Sequence, residues 1–250
     1  MNVLMFFCMM VGKNQKDKDI VVEKKRRLSY VFIPLTSFFI FSIGFIPLIA
    51  YILIVNEFFW FDTFWMYVLL PFLVYFGISI LLLSQLFISG IFIKILRLYY
   101  VPGSFLYDTK EKNALKWMIV VSVYTPIRKM LEIIPMGRLK NIYLRLVGMK
   151  IGKNTLVGGV IKDPCVTKIG DHCTMGEYSI VYGHIHDFEM GRILIDPVTI
   201  GNNCVIGAGA IVMPGAVIED KVKVAAGALV TKRQRLSSGH TYVGIPAKKR

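Results

Sequence analysis

The sequence PVTIGNNCVIGAGAIVMPGAVI at residues 197–218 gives the clearest indication of the fold of the C-terminal part of this 250-residue chain. An aliphatic residue returns every six positions through it and beyond, at Ile200, Ile206, Val212, Ile218, Val224 and Val230. A period of six fits neither the 3.6-residue period of an α-helix nor one flat strand. We call these recurring aliphatic residues the rungs of a six-residue ladder. A smaller side chain lies two residues before most rungs, at Cys204, Ala210, Ala216, Val222 and Ala228. Because residues i and i−2 of a strand face the same side, we predict very short strands with one large and one small side chain inward.

The same register continues upstream, with two interruptions. Its upstream rungs are Ile151, Val157, Ile169, Met175 and Val181. Asp163 occupies a rung that should be apolar, and nineteen positions separate Val181 from Ile200. The pattern predicts a left-handed parallel β-helix over residues 149–250, with about four coils and one extruded loop, from about Gly183 to Pro197. Loops extruded from a rigid repeat often carry function.

The N-terminal part has the composition of a transmembrane α-helical hairpin, which we place at residues 30–95. Tyr30–Val55 carries no charged residue over twenty-six positions, and Phe64–Phe92 is a second uncharged stretch. About 20 apolar residues suffice for a helix to cross a bilayer. A cleaved signal peptide is the competing interpretation, but its apolar core would be shorter and nearer the start.

Basic residues flank this hairpin at both ends. Residues 1–29 form a basic segment before it, and Lys94 and Arg97 follow it. By the positive-inside rule we expect an integral membrane protein with both termini and the β-helix in the cytoplasm. The formal net charge is +14, and most of the excess lies beside the predicted spans. We therefore expect membrane lipid as a partner rather than nucleic acid.

The connector at residues 96–148 mixes apolar and basic residues. Lys116–Ile134 within it has the composition of an amphipathic helix lying on the lipid headgroups. A re-entrant or packing helix is the alternative.

Two of the four histidines stand at the start of the extruded loop, in the sequence GHIHD at residues 183–187. A neutral imidazole can take a proton from a hydroxyl or amine near neutral pH. We expect one of His184 and His186 to face a pocket, with Asp187 or Glu189 orienting or compensating it.

A metal site is the rival interpretation of these histidines. His172, His184 and His186 are available, and some β-helix proteins, the gamma-type carbonic anhydrases, bind zinc through three histidines. The last two are only two residues apart, unlike the near pair of those enzymes, so we expect no metal. Cys173 and Cys204 occupy the inward-facing positions of the repeat that hold small side chains, so we predict that both are reduced core residues.

Residues 169–250 resemble the hexapeptide-repeat acyltransferases, the group of maltose, galactoside and serine acetyltransferases. The resemblance rests on GHIHD, on the opening stretch, on AAGALVTK at 225–232 and on GIPAKK at 244–249. The shorter stretch YLRLVGMKIG at 143–152 is similar to the entry into the acyltransferase-like domain of membrane-bound poly-lysine synthetases.

The resemblance implies roles for single residues. His184 falls at the general base of the family, and acetyl-CoA or another acyl-CoA would lie between subunits of a homotrimer. The Ala208 N–H would face the thioester oxygen, and Ala226 would make a second contact. The remaining positions of the implied coenzyme site are Lys232 near the nucleotide phosphates, Pro246 and Ala247 at the adenine end, and Arg233, Arg235 and Lys248 as further positive charge.

The sequence therefore predicts a membrane-anchored, acyl-CoA-dependent O- or N-acyltransferase acting on a small-molecule or lipid-linked acceptor at the cytoplasmic face. A catalytically silent trimeric scaffold is one alternative. An amide-forming transferase that uses an aminoacyl donor is the other. The family's tryptophan is replaced by Val205, and its helical cap by the membrane helices, so the resemblance gives no acceptor.

Overall fold

The computed structural model describes residues 32–58, 63–134 and 136–250, so the predicted basic segment at 1–29 lies outside the described residues. The α-helices are α1 (Phe32–Ile43), α2 (Ile46–Phe58), α3 (Phe64–Ile95), α4 (Lys112–Ile133) and α5 (Arg138–Leu146). The strands, in chain order, are β1 (Gly103–Leu106), β2 (Lys150–Ile151), β3 (Leu156–Val157), β4 (Val160–Ile161), β5 (Thr167–Ile169), β6 (Thr174–Met175), β7 (Ile180–Val181), β8 (His184–Asp187), β9 (Arg192–Ile195), β10 (Val198–Ile200), β11 (Val205–Ile206), β12 (Ile211–Val212), β13 (Val217–Ile218), β14 (Lys223–Val224), β15 (Leu229–Val230), β16 (Arg235–Leu236), β17 (Thr241–Val243) and β18 (Lys248–Lys249).

Two helical stretches have the length and composition needed to cross a membrane. They are Ile33–Phe58, which α1 and α2 form with a turn at Gly44, and Phe64–Ile95, which is α3. Only 11% and 6% of their most apolar windows are buried inside the protein. The core helix of a soluble domain would bury one face, whereas these helices leave most of their apolar side chains exposed.

The two stretches pack on each other through polar side chains as well as apolar ones. The Gln85 Nε2 donates to the Phe41 carbonyl (3.0 Å), and the Tyr51 hydroxyl donates to the Leu73 carbonyl (2.8 Å). Hydrogen bonds of this kind link helices where little water is available to compete.

Helix α4 packs among protein elements, which differs from the expected interfacial helix and matches the alternative of a packing helix. The hydroxyls of Ser37 in α1 and Ser122 in α4 lie 2.7 Å apart. On the other side of α4, the Tyr124 hydroxyl donates to the Ile161 carbonyl at 2.7 Å. Because apolar side chains are spread around α4 rather than confined to one stripe, the helix buries residues against both halves of the chain.

The C-terminal strands form three parallel sheets. The first contains β2, β5, β10, β13 and β16, the second β3, β6, β11, β14 and β17, and the third β4, β7, β12 and β15. Strand β18 adds to the second sheet antiparallel to β17. Successive strands of the chain visit the first, second and third sheets in turn, which is the course of a β-helix with three faces.

The rungs of the six-residue ladder form the core of this β-helix. Ile200, Ile206 and Val212 are at most 2% exposed, and the small inward residues Cys204 and Ala210 are completely buried. Cys173 and Cys204 are free, buried thiols in adjacent coils, as the inward slots predicted.

The extruded loop is an antiparallel hairpin of β8 and β9, to which β1 of the connector adds a third strand. Paired residues in adjacent coils are usually 18 positions apart, as Ile206 and Val224 are, but Ile169 pairs with Ile200, 31 positions on. The hairpin therefore inserts thirteen residues into one coil. The hexapeptide period predicted the interruption, but not its pairing with a strand from the connector.

The first interruption, at Asp163, has a different structural cause. Ile161, not residue 163, pairs with Val181, so the rung lies two residues earlier than the strict period predicts. A short 3-10 helix at Pro164–Val166 takes up the two extra residues. Asp163 is thereby released from the strand and lies completely buried beside the start of the hairpin.

Candidate active site

The carboxylate of Asp163 accepts four hydrogen bonds from three parts of the chain. The Tyr100 hydroxyl and the Trp117 Nε1 each donate to Oδ1 at 3.0 Å. The Gly183 N–H donates to Oδ2 at 2.8 Å, and His184 Nδ1 lies 2.7 Å from the same oxygen. A buried carboxylate is costly unless it is hydrogen-bonded, and here each oxygen has two donors.

These donors keep the Asp163 carboxylate ionised. Burial alone would raise its pKa, but the hydrogen bond and charge of His184, together with the Gly183 and Trp117 donors, hold the pKa below its usual range. An ionised carboxylate can only accept, so His184 must donate its Nδ1 proton. In the neutral imidazole the lone pair is therefore on the Nε2 atom of His184.

Gly183 is required for this close approach. A Cβ atom added at residue 183 would lie 2.7 Å from the Asp163 Cβ and 2.7 Å from the Val166 Cγ2. The glycine that opens the GHIHD sequence therefore allows the hairpin to start against the carboxylate that His184 needs.

His186 lies beside His184, which corrects the expectation that only one of them faces the pocket. Their ring centroids are 5.2 Å apart, and each ring meets the Trp117 ring edge-on, at 5.2 Å for His186 and 4.8 Å for His184. The expectation was wrong because residues i and i+2 of an extended strand point to the same face. Burial lowers the pKa of His186, and the neighbouring His184 lowers it further, while Asp163 opposes this decrease.

Asp187 and Glu189, the predicted orienting groups, lie elsewhere on the hairpin. The Asp187 Oδ1 accepts from the Met190 N–H at 3.0 Å, which caps the hairpin turn, and both carboxylate side chains are exposed. The group hydrogen-bonded to His184 is Asp163, which the sequence pattern marked only as a polar residue at a position of the repeat that should be apolar. Tyr100 and Trp117 come from the connector and carry no pattern that links them to the loop.

The residues assigned to the coenzyme lie on two edges of the β-helix. Ala208 and Ala226 are exposed and follow β11 and β14, at the edge between the second and third sheets. Among the described residues neither amide N–H has a hydrogen-bond partner. Asp163 and His184 lie at the edge after the third sheet, where β4 and β7 end. The third sheet therefore separates the two groups within one chain.

Lys232 and Arg233 lie in the turn after β15, on the same edge as His184. The Arg233 Nε donates to the Asp196 Oδ2 at 2.9 Å, and the Asp196 N–H donates to the Gly183 carbonyl at 2.9 Å. This ion pair connects the turn to the end of the hairpin. Because Arg233 is exposed, the pair contributes less than about 1 kcal/mol to stability.

Pro246, Ala247 and Lys248 lie where the chain folds back along the β-helix. The Ile245–Pro246 peptide is cis, and the buried Ala247 donates its N–H to the Leu229 carbonyl at 2.7 Å. Lys248 is exposed in β18. This segment covers the end of the third sheet.

No group of three or more His, Cys, Asp or Glu side chains in the described parts of the chain is placed to hold a metal ion. His172, the third histidine of the metal hypothesis, is an exposed corner residue with φ of 55°. His184 uses its Nδ1 for Asp163. The absence of a metal stays a prediction.

Comparison with known proteins gives a family match to part of the chain. Residues 197–232 match the family described as "Hexapeptide repeat of succinyl-transferase". This segment contains Ala208, Ala226 and Lys232, but not the hairpin with its histidines.

Two curated proteins resemble parts of the chain. Gamma carbonic anhydrase 2 of Arabidopsis thaliana mitochondria is 31% identical over 98 residues, which are 39% of this chain and 29% of that protein. The putative acetyltransferase YvoF of Bacillus subtilis is 30% identical over 122 residues, 46% of this chain and 63% of that protein. The chain thus matches less than two thirds of the length of either relative.

A solved structure with a similar course is the maltose O-acetyltransferase from Clostridium difficile 630. It is 19% identical, covers 60% of this chain and 91% of its own, and has a TM-score of 0.47.

Proposed function

We propose that this chain, whose residues 197–232 carry the hexapeptide repeat, is a membrane-anchored acyltransferase that moves an acyl group from coenzyme A to a hydroxyl or amine. Acetyl-CoA is the proposed donor, and the acceptor is a small or lipid-linked molecule at the cytoplasmic face. The proposal takes the three-sheet region as a left-handed β-helix of about four coils.

The observation that carries the proposal is the pair formed by Asp163 and His184. The 2.7 Å contact between the Asp163 Oδ2 and the His184 Nδ1 fixes the tautomer and the ring orientation. The opposite nitrogen, Nε2, is then a lone-pair base on a side chain that is 16% exposed. A rigid and partly shielded imidazole with a free ring nitrogen suits proton removal from an alcohol or amine.

The proposed reaction begins when the His184 Nε2 takes the proton of the acceptor as its oxygen or nitrogen attacks the thioester carbonyl carbon. The carbonyl oxygen becomes an oxyanion, which the Ala208 N–H stabilises. The intermediate collapses, the carbon–sulfur bond breaks, and the His184 Nε2–H returns its proton to the leaving thiolate. The products are the acylated acceptor and free coenzyme A thiol.

The same proposal requires a second copy of the chain. His184 and Ala208 lie on different edges of one β-helix, whereas the reaction needs both near one thioester. In a homotrimer with heterologous contacts, the His184 edge of one copy would face the Ala208 edge of the next. The exposed amides of Ala208 and Ala226 are free to bind the coenzyme in such an arrangement.

Membrane anchoring is proposed from the two long apolar helical stretches and their exposed side chains. Lys94 and Arg97, at the end of α3, support a cytoplasmic position of the β-helix by the positive-inside rule. An anchored enzyme meets a membrane-bound acceptor at a raised effective concentration.

The test measures release of free thiol from acetyl-CoA by the purified full chain, with hydroxyl and amine acceptors and extracted membrane lipid. His184→Asn keeps a side-chain N–H for Asp163 but has no basic nitrogen, so we expect the rate to fall about 10²- to 10⁴-fold. His172→Asn is the matched control at an exposed corner and should keep the wild-type rate.

If the wild type releases no thiol with any acceptor, the scaffold alternative replaces the proposal. If His184→Asn is as fast as the wild type, the base assignment is wrong. If the protein transfers an aminoacyl group but not the acetyl group of acetyl-CoA, the proposed donor is wrong.

A further inference from the structure

An open cavity of about 570 Å³ lies at the edge between the first and second sheets, away from His184. It is formed by the end of α5, by the strands β2 and β5, and by the corners that follow them. Its charged lining residues are Arg145, Lys150, Lys168 and Asp171. The first sheet separates this cavity from the edge that carries Asp163 and His184, so the proposed reaction does not use it.

The two lysines of the cavity lie directly beside each other. Lys150 and Lys168 are Cα partners in the parallel pair β2–β5, and both side chains are exposed. Adjacent strands are about 4.8 Å apart, so two ammonium groups project from neighbouring positions on one face. Like charges placed directly opposite are destabilising unless an anion lies between them.

Arg145 adds a third positive charge at the mouth of the cavity. Its Nη2 donates to the Ile151 and Gly152 carbonyls at 3.1 and 3.2 Å, which holds the guanidinium beside the two lysines. Among the described residues none of these three cations forms an ion pair.

The acidic residue of the lining is already engaged. The Asp171 Oδ1 accepts from the Lys153 N–H at 2.6 Å within the corner. With one carboxylate against three cations, the lining has a surplus of two positive charges. This charge suits a phosphate group.

The end of α5 lines the cavity, and α5 packs on the helix that we propose to cross the membrane. Residue Leu146, next to Arg145, packs on α3 so closely that a Cβ added at Gly90 would lie 3.0 Å from the Leu146 Cβ. Gly90 lies five residues before Ile95, where α3 ends. The Tyr99 hydroxyl also donates to the Leu146 carbonyl at 3.2 Å. Leu146, the neighbour of Arg145, therefore packs against the last two turns of α3, near the end that would meet the lipid headgroups.

We infer that this cavity binds the phosphate of an anionic membrane lipid, held by Arg145, Lys150 and Lys168. The inference rests on the membrane anchoring in the proposed function, but it assigns no part of the chemistry to the cavity. The bound lipid would fix the β-helix against the membrane, with the His184 edge held at a constant height above the headgroups.

The experiment titrates the detergent-purified full chain with phosphatidylglycerol and with phosphatidylcholine of the same acyl chains, and measures the Kd of the first bound lipid by native mass spectrometry. We compare the wild type with the double variant Lys150→Gln/Lys168→Gln. The matched control is Lys223→Gln/Lys249→Gln, which removes two exposed lysines from the second sheet.

We expect tighter binding of phosphatidylglycerol than of phosphatidylcholine, and a Kd about 30-fold weaker in the double variant, since each lysine contributes about 1 kcal/mol at an anionic surface. The control should keep the wild-type Kd. An unchanged Kd in the double variant would overturn the inference, as would equal binding of the two lipids. Glycerol phosphate that displaces the lipid at concentrations near the Kd of glycerol phosphate itself would overturn the lipid assignment, because the cavity would then bind a soluble anion.

Thiol release from acetyl-CoA, measured on the same preparations, separates this inference from the proposed function. Thiol release without lipid preference would leave the acyltransferase proposal standing and refute the lipid site. Lipid preference without thiol release would leave the lipid site standing and refute the acyltransferase proposal. Because both lysines are exposed, a thermal melting temperature equal to that of the wild type checks that the double variant is folded.

Discussion

The Asp163 carboxylate determines which nitrogen of His184 can act as a base. Its Oδ2 binds the His184 Nδ1 and the Gly183 N–H, so both the ring and the start of the hairpin depend on one buried side chain. The carboxylate of a Ser-His-Asp triad orients its histidine in a similar way.

Asp163→Asn should lower kcat by at least about 100-fold with little change in KM for acetyl-CoA. The asparagine amide puts an NH2 donor in place of one carboxylate oxygen, which now accepts two of the four hydrogen bonds, so His184 loses its orientation or its tautomer. Asp187→Asn makes the same chemical change at an exposed carboxylate and should be nearly neutral. Steady-state kinetics of thiol release compare the two. Equal rates in both variants would contradict the role given to Asp163.

His186 should make the stability of the protein depend on pH just below neutrality. Its folded pKa is depressed below the ordinary value of 6.5, chiefly by burial, so the unfolded chain binds a proton more readily than the folded one. The stabilising contribution is present above pH 6.5 and is lost as the pH falls through the folded pKa.

Thermal melting of the full chain between pH 7.5 and pH 5 measures this effect. We expect the melting temperature of His186→Gln to decrease less over that range than the wild-type value. His172→Asn, which changes an exposed histidine, should follow the wild-type curve. A His186→Gln curve parallel to the wild type would show that His186 does not titrate in this window.

The sequence predicted His184 and His186 from their position at the break in the ladder. It did not predict Asp163 as the partner of His184, because the two-residue shift at Ile161 follows from strand pairing and not from the six-residue period. Trp117 and Tyr100 reach the same carboxylate from 46 and 63 residues away along the chain. No local pattern encodes such contacts.

At the level of elements, α4 links the apolar helices to the β-helix. The Tyr124 hydroxyl donates to the Ile161 carbonyl. Ile161 is the residue that pairs with Val181 in place of residue 163, which leaves Asp163 outside the strand. The composition of the connector predicted a helix. Its packing partners could not be predicted, because the two faces of α4 pack on elements that are distant in the sequence.

Tyr124→Phe should destabilise the protein by about 1 to 2 kcal/mol, because it leaves the Ile161 carbonyl buried without this donor. For a chain of this size the melting temperature should fall by about 2 to 8 °C. Tyr178→Phe removes the same hydroxyl from a side chain that is 81% exposed and should have no effect. Thermal denaturation of the detergent-solubilised chain compares them. A Tyr124→Phe variant as stable as Tyr178→Phe would mean that this hydrogen bond does not hold α4 in place.

For the strands, the six-residue ladder predicted the three parallel sheets well, since every rung from Ile200 to Val230 is buried. The period carries this information because each strand repeats the same inward alternation. The hairpin has no such period, and its pairing with β1 depends on a segment some 90 residues earlier. The sequence could therefore locate the interruption but not give its structure.

For the whole molecule, the proposed site needs two edges of the β-helix from two copies of the chain. His184 lies on one edge and Ala208 on another, with the third sheet between them. The exposed Ala208 side chain allows a substitution that blocks the coenzyme path without disturbing the core.

Co-expression of His184→Asn with Ala208→Trp, purified through two different tags, shows whether the site forms between two copies, with thiol release from acetyl-CoA as the measurement. Each variant alone should be inactive. A closed ring of three copies that contains both variants has one pairing of an intact His184 with an intact Ala208, so mixed oligomers should recover about a third of the wild-type rate. Mixed oligomers as inactive as either variant alone would contradict a site built between copies.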